Sequence, residues 1–335
     1  MAGATGGKVL VTGGAGYIGS HTAKALAEAG LTPVVFDDLS SGYREAVQWG
    51  PLVVGDVRDR AAVAAAIRAH NIEAVIHFAA LIEAGLSVSQ SERFHDVNVG
   101  GTRSVLAAMS ETGVGRLVFS STGSFYAMGS GRPMAEDDPI APANPYAETK
   151  VICEQVIGEA CAAGALSAVA LRYFNASGAD PSGLIGEAHQ PESHLIPIAV
   201  ESALGLRGQL TINGVDYPTP DGSCVRDYVH VTDLAAAHLA ALELTRKPGP
   251  LRAFNIGSGR GYSVLEVIGA IGEALGQPLA HATGSRRAGD PASIVADPSR
   301  AQTELGWTAR HSSLSEIVAS AIAWRKDPKY GRFAN

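Results

Sequence analysis

Through the first half of the chain, short β-branched runs alternate with longer alanine-rich stretches. The runs at 9–12, 34–36, 52–54, 74–77, 117–120 and 168–171 have the length of buried strands, and the stretches at 18–29, 60–69, 92–112 and 146–163 are long enough for helices. Such alternation predicts βαβ units and a doubly wound parallel sheet, an α/β fold. After Arg172 the rhythm breaks, and Gly and Pro crowd the segments 180–183 and 217–222. A smaller C-terminal lobe with long, ligand-gripping loops is expected there. The expected division is a first domain over 1–175, to which later segments return, and a substrate lobe made mainly of 176–335.

The first strand runs into Thr12-Gly13-Gly14-Ala15-Gly16-Tyr17-Ile18-Gly19 and then a helix. Gly13, Gly16 and Gly19 lie three apart, while Gly14, Gly16 and Gly19 fit G-x-G-x-x-G. Glycines here permit a tight turn and let the backbone approach a pyrophosphate at the positive end of the following helix. Asp37 closes the next strand 18 residues after Gly19, where a carboxylate accepts hydrogen bonds from an adenosine ribose. With no arginine beside it to hold a 2′-phosphate, Asp37 favours NAD over NADP, and the unit reads as Rossmann-like. Asp56, after the third strand, is expected to meet the adenine amino group or to cap a helix. After the fourth strand, Phe78, Ala79 and Ala80 include small residues that allow close approach to the cofactor. His77 is expected to be packed structure, and no metal site is expected, because no second histidine lies at ligand spacing from it.

Tyr146 and Lys150 are four residues apart, on one face of the helix that follows Asn144-Pro145. A phenol is a poor base at neutral pH, but a nearby ammonium and a nicotinamide cation stabilise its phenolate. Ser120, Ser121 and Thr122 end the fifth strand, where a hydroxyl faces the same cleft.

Composition removes several other classes. The 335 residues are 46% apolar and 18% charged, neither a disordered nor a fibrous profile. Lys and Arg total 26 against 33 Asp and Glu, a net charge of −7 with no basic cluster, so nucleic acid is not an expected partner. An apolar run of membrane-spanning length and a basic-flanked leader are both missing, so no membrane association is expected. Three cysteines, Cys153, Cys161 and Cys224, without a C-x-x-C pair fit a reducing cytoplasm.

With these residues in view, the sequence resembles the extended short-chain dehydrogenase/reductases and, within them, the UDP-glucose 4-epimerase family. The glycine turn at 12–21 and the Tyr146/Lys150 pair mark the superfamily; LRYFN at 171–175, DYPTPDGSCVRDYVHV at 216–231, FNIGSG at 254–259 and RRAGDPASIVAD at 286–297 mark the narrower family. The resemblance implies NAD-dependent inversion at C4 of a UDP-hexose, UDP-galactose to UDP-glucose, through a transient 4-keto sugar. Tyr146 is implied as the base, Lys150 as its partner and the holder of the nicotinamide ribose, and Thr122 as a hydrogen-bond partner of the 4-hydroxyl. Cofactor contacts are implied at Gly13, Gly16, Tyr17, Ile18, Gly19, Asp37, Asp38, Asp56, Val57, Phe78, Ala79, Ala80, Asn98, Ser120 and Phe174. Substrate contacts are implied at Asn175, His194, Leu195, Thr211, Asn213, Arg226, Arg287 and Asp290, with the two arginines on the diphosphate and Asp290 on the uridine ribose. A homodimer through the helices at 92–112 and 146–163 is implied as well.

The chain departs from the family pattern at Ile82, Glu83 and Leu86, at Val97, at His194 and at Asn213. Thr122-Gly123-Ser124 lacks the Asp-Glu pair of related 4,6-dehydratases, which disfavours water loss. Ile294 stands where members carry either tyrosine or a small residue, which leaves acceptance of N-acetyl sugars open. The alternatives are a 4-epimerase of another UDP-sugar (pentose, uronate or N-acetylhexosamine) and a non-catalytic nucleotide-binding regulator.

Overall fold

A computed structural model describes residues 6–127, 131–287 and 290–331. Ala288 and Gly289, within the motif at 286–297, lie outside the described residues, as do the first five and last four positions. The chain begins with β1 (Lys8–Thr12), α1 (Tyr17–Glu28), β2 (Thr32–Asp37), β3 (Leu52–Val54), α2 (Arg60–His70) and β4 (Ala74–His77). After α3 (Ala84–Ser89) and α4 (Ser91–Phe94) come α5 (Gly101–Thr112), β5 (Arg116–Thr122), α6 (Pro145–Ala162) and β6 (Ser167–Tyr173). The second half supplies β7 (Asn175–Ser177), α7 (Leu195–Ala203), β8 (Leu210–Asn213), β9 (Val225–His230), α8 (Val231–Leu244) and β10 (Arg252–Ile256). It closes with β11 (Gly261–Ser263), α9 (Val264–Leu275), β12 (His281–Gly284), β13 (Ser293–Ile294) and α10 (Leu314–Lys326).

Seven parallel strands run in the order β10-β6-β5-β4-β1-β2-β3. Side chains alternate across β1 as a strand requires. Leu10 joins Val34, Val75 and Leu117 against α2, α5 and α6, while Val9 and Val11 join Ile76, Val118 and Val169 against α1 and α8. Both faces are covered along the central strands, which is why those strands read as apolar runs, while the edge strand β3 leaves Val54 exposed. Between β1 and β4 the chain reverses its direction of travel across the sheet, so loops leaving these two strands part and open a crevice at their carboxyl ends.

The expected helix at 92–112 begins at Ser91 and holds a wide π turn, His95–Gly100, between α4 and α5. That extra residue per turn puts Asn98 in the interior at 2% exposure. The expected cap at Asp56 is corrected: Asp59 caps α2 by accepting from the Ala62 N–H at 3.0 Å.

The second lobe is built on β9, which pairs with β7, β11 and β13 and is backed by α7, α9 and α10. Its chain returns through α8 and β10 to the main sheet, so the lobe is joined to the sheet at both ends, after β6 and through β10 beside it. Among the described residues no helix is long and apolar enough to cross a membrane. The three cysteines are free and buried.

Beneath β5 lies a buried ion pair. Arg172 reaches both Glu154 oxygens from Nε and Nη2, at 3.0 and 2.6 Å, and Ser121 Oγ donates to the same carboxylate at 2.5 Å. Arg172 Nη1 also donates to the Tyr126 hydroxyl, which in turn donates to Asn255 Oδ1. Glu154→Ala strands a buried guanidinium, so a loss of about 3–5 kcal/mol is expected in chemical unfolding. A loss below about 1 kcal/mol would show the network to be dispensable.

Candidate active site

At the crevice the backbones meet with no room for a side chain. Gly13 has φ +70°, and a Cβ there would sit 2.6 Å from the Ala79 backbone nitrogen; at Gly19 it would sit 2.3 Å from the Gly13 carbonyl oxygen. The opening turn of α1 follows Gly16 with no side-chain cap, which leaves its first N–H groups for an anion. The Tyr17 hydroxyl donates to the Gly178 carbonyl at 2.6 Å and ties this turn to the start of the second lobe. Ile18 packs beside the core under α1.

Asp37 is 7% exposed, and its two oxygens accept from the N–H groups of Ala15 and Leu39, each at 2.9 Å. Burial nonetheless keeps its carboxyl pKa above the ordinary value. A carboxylate has about four acceptor sites, so two bonds leave capacity for ribose hydroxyls. The glycine cradle, the open helix end and this buried carboxylate fit a dinucleotide.

Other sequence-designated cofactor residues are more occupied. Asp38 accepts from Ser40 N–H, and Asp56 forms an ion pair with Arg58, which also reaches Asp96. Val57 is core, against Gly101. Phe78 packs on His238, and Ala79 and Ala80 are half-buried on the crevice wall. Asn98 spends its amide on Leu81 N–H, Leu81 C=O and Thr149 Oγ1, clamping the loop after β4 to α6. His77 is packed structure, held between the Thr12 and Thr102 hydroxyls.

The helix carrying Tyr146 and Lys150 starts where Asn144 accepts from Ala147 N–H at 2.9 Å, with Pro145 in the first turn. Lys150 is buried, donates from Nζ to the Ser120 carbonyl at 2.8 Å, and lies 5.0 Å over the Phe119 ring. Burial lowers its pKa to about 8. Burial raises the Tyr146 phenol to about 12, with a hydrogen bond to Thr122 pulling it partly back. In the protein alone the expected lowering of Tyr146 by Lys150 does not set the phenol's value, since the ammonium is turned to the Ser120 carbonyl. Thr122 Oγ1 also accepts from the Ser124 N–H. The Phe174 ring lies so close to Gly123 that a Cβ there would meet it at 2.8 Å.

Beyond β6 a cavity of about 510 Å³ opens in the second lobe. Its lining includes Asn175, His194, Leu195, Thr211, Asn213, Arg226, Arg287 and Asp290, so every sequence-designated substrate residue except Thr122 is gathered there. Arg226 donates from Nη1 to the carbonyls of Val225 and Pro291, at 2.8 and 3.0 Å, and its Nη2 pairs with Asp290. With its amide oriented to satisfy both ends, Asn213 accepts from Arg287 Nε and Nη2 at 3.1 Å. Tyr228 lines the same cavity without having been singled out, although the 216–231 motif contains it. Asp227 was also missed. Its carboxylate gathers the N–H groups of Ser258, Gly259 and Ala296 and the Ser258 hydroxyl, which pins two motifs behind Arg226.

Residues 9–257 match the model of the NAD dependent epimerase/dehydratase family. A UDP-glucose 4-epimerase of Rhizobium leguminosarum bv. trifolii is 48% identical over 324 residues, 97% of this chain and 98% of that protein. Among solved structures, UDP-glucose 4-epimerase from Brucella ovis in complex with NAD is 46% identical with a TM-score of 0.92, covering 94% of this chain and 97% of that one. The Bifidobacterium longum enzyme, in complex with NAD+ and UDP, is 36% identical with a TM-score of 0.91, over 97% of this chain and all of that one.

Proposed function

The chain belongs to the NAD dependent epimerase/dehydratase family, and from that premise we propose that it is an NAD-dependent UDP-glucose 4-epimerase interconverting UDP-galactose and UDP-glucose. The observation that carries the reading is that a glycine-lined crevice, a half-buried Tyr146 beside buried Lys150 and Thr122, and an arginine-bearing cavity lie beyond the carboxyl ends of the sheet strands and in the lobe that follows them.

Gly13, Gly16, Tyr17, Ile18 and Gly19 would hold the NAD pyrophosphate on the N-terminus of α1. Asp37 and Asp38 would take the adenosine ribose, and Asp56 and Val57 would border the adenine. Phe78, Ala79, Ala80, Asn98, Ser120, Lys150 and Phe174 would surround the nicotinamide half. NAD, when bound, supplies a reversible two-electron acceptor for the hydrogen at C4, so a full turnover has no net redox change. Tyr146 takes the proton of the 4-hydroxyl and returns it, Thr122 orients that hydroxyl, and Lys150 brings positive charge to the site. Arg226 and Arg287, with Asn175, His194 and Leu195, hold the diphosphate region while the 4-keto sugar turns over to present its other face. Thr211, Asn213 and Asp290 hold the uridine.

Arg226 is fixed by two carbonyls and a carboxylate, so its planar fork is pre-oriented for phosphate oxygens. Arg226→Lys loses that fork, and KM for the UDP-sugar is expected to rise by about 10- to 100-fold, with a smaller change in kcat. An unchanged KM would remove Arg226 from the diphosphate site. Product analysis with a panel of UDP-hexoses, UDP-pentoses and UDP-N-acetylhexosamines tests the sugar; turnover confined to another sugar would overturn the assignment to UDP-galactose. The same reading puts a homodimer, associated through α5 and α6, in the cytoplasm. Sedimentation as a monomer at micromolar concentration would contradict the dimer.

A further inference from the structure

The sequence spacing suggested no metal site, yet the loop before α7 folds four metal-ligating side chains onto one point. One ligand atom each from Glu187, His189, Glu192 and His194 lies within 4.8 Å of all the others. Glu187 Oε1 is 3.1 Å from His189 Nδ1 and 2.9 Å from His194 Nδ1; Glu192 Oε1 is 2.9 Å from His194 Nδ1. On a tetrahedral zinc, ligand atoms stand roughly 3.4 Å apart, so the three close pairs part by a few tenths of an ångström and the wider pairs, up to 4.8 Å, draw together by about an ångström or more to admit the ion.

From this geometry we infer that Glu187, His189, His194 and Glu192 form a binding site for a divalent transition-metal ion of the zinc class. Two imidazoles and two carboxylates suit zinc or cobalt, and the two carboxylates neutralise the ion's charge. The Glu187 side chain is only 5% exposed, and its ion-pair partners among the described residues are these two imidazoles. A cation of fixed charge answers that burial.

The supports are rigid. The Trp324 indole donates to the Glu187 carbonyl at 2.8 Å, and Arg325 holds the second Glu192 oxygen at 2.8 Å. Glu192 Oε1 also accepts from the N–H groups of Ser193 and His194, which orients it toward the cluster. His194, 44% exposed, leaves an entry path. The site lies between the two halves of the active site: the His189 ring meets the Tyr17 ring of the glycine turn edge-on at 6.1 Å, and His194 lines the large cavity. A bound ion therefore fastens the glycine turn to the substrate cavity.

The test is zinc titration of the chelator-treated, NAD-loaded protein, read by calorimetry and elemental analysis, with cobalt absorption reporting geometry. The wild type is expected to bind one equivalent, show tetrahedral cobalt bands without thiolate charge transfer, and unfold at higher temperature when loaded. His189→Ala and Glu187→Gln are each expected to weaken binding by about 100-fold or more. If Glu187→Gln fails to fold, His189→Ala decides alone, because that side chain is at the partly open edge of the site. Absence of binding in the wild type, or binding that His189→Ala leaves intact, overturns the site. Neither readout depends on epimerase activity.

Discussion

Tyr146→Phe is expected to lower kcat by about 10²- to 10⁴-fold, the range of a positioned proton-transfer group, while UDP-sugar affinity changes little. The physical reason lies in the phenol's surroundings. Burial holds it at about 12 in the protein alone, so base action requires the phenolate to be favoured by the bound nicotinamide cation and the Lys150 ammonium. Phenylalanine keeps the ring's packing, so the fold survives and the loss is confined to proton transfer. Stopped-time product analysis alongside binding of UDP separates the two effects. A kcat within tenfold of wild type would mean that another group moves the proton.

The second large effect is expected at the turn. Gly13 combines φ +70° with a Cβ position 2.6 Å from the Ala79 nitrogen and 2.9 Å from its Cα, so Gly13→Ala is strained by its backbone and obstructed by another backbone. Left-handed geometry alone costs about 1–2 kcal/mol for a residue with a Cβ, and the overlap must be relieved by moving the strand ends apart. Cofactor affinity is expected to fall by about 100-fold or more. Gly30 supplies the control: φ is +79° there but nothing lies within 4 Å of an added Cβ, so Gly30→Ala bears the backbone cost and keeps NAD. Titration of stripped protein with NAD checks both. Equal affinities for the two variants would contradict a role for the close approach at Gly13.

Six of the seven strands of the sheet were legible as short apolar or β-branched runs, and Leu52–Val54 and Ala74–His77 match expectation at both ends; β10 (Arg252–Ile256) was not, because Arg252 and Asn255 interrupt its apolar residues. The Tyr146/Lys150 face was legible because helical spacing is local. What escaped was set by distant partners. The π turn at His95–Gly100 coincides with Asn98 bonding to Leu81 and Thr149, partners that local spacing does not reveal. The Asp56 carboxylate turns to Arg58 and the capping role passes to Asp59, a choice among neighbouring aspartates that spacing cannot make. The cluster at Glu187 and His194 depends on the path of one loop and on Trp324 and Arg325, more than 130 residues away.

The proposed function puts a proton-transferring tyrosine, a bound dinucleotide and a UDP-sugar in one crevice. It is tested most directly by incubating the purified protein with UDP-galactose, with and without added NAD, and following the sugar by NMR. UDP-glucose is the expected product, formed with no net accumulation of reduced cofactor. No conversion even at saturating NAD, or conversion coupled to stoichiometric NADH, would contradict it.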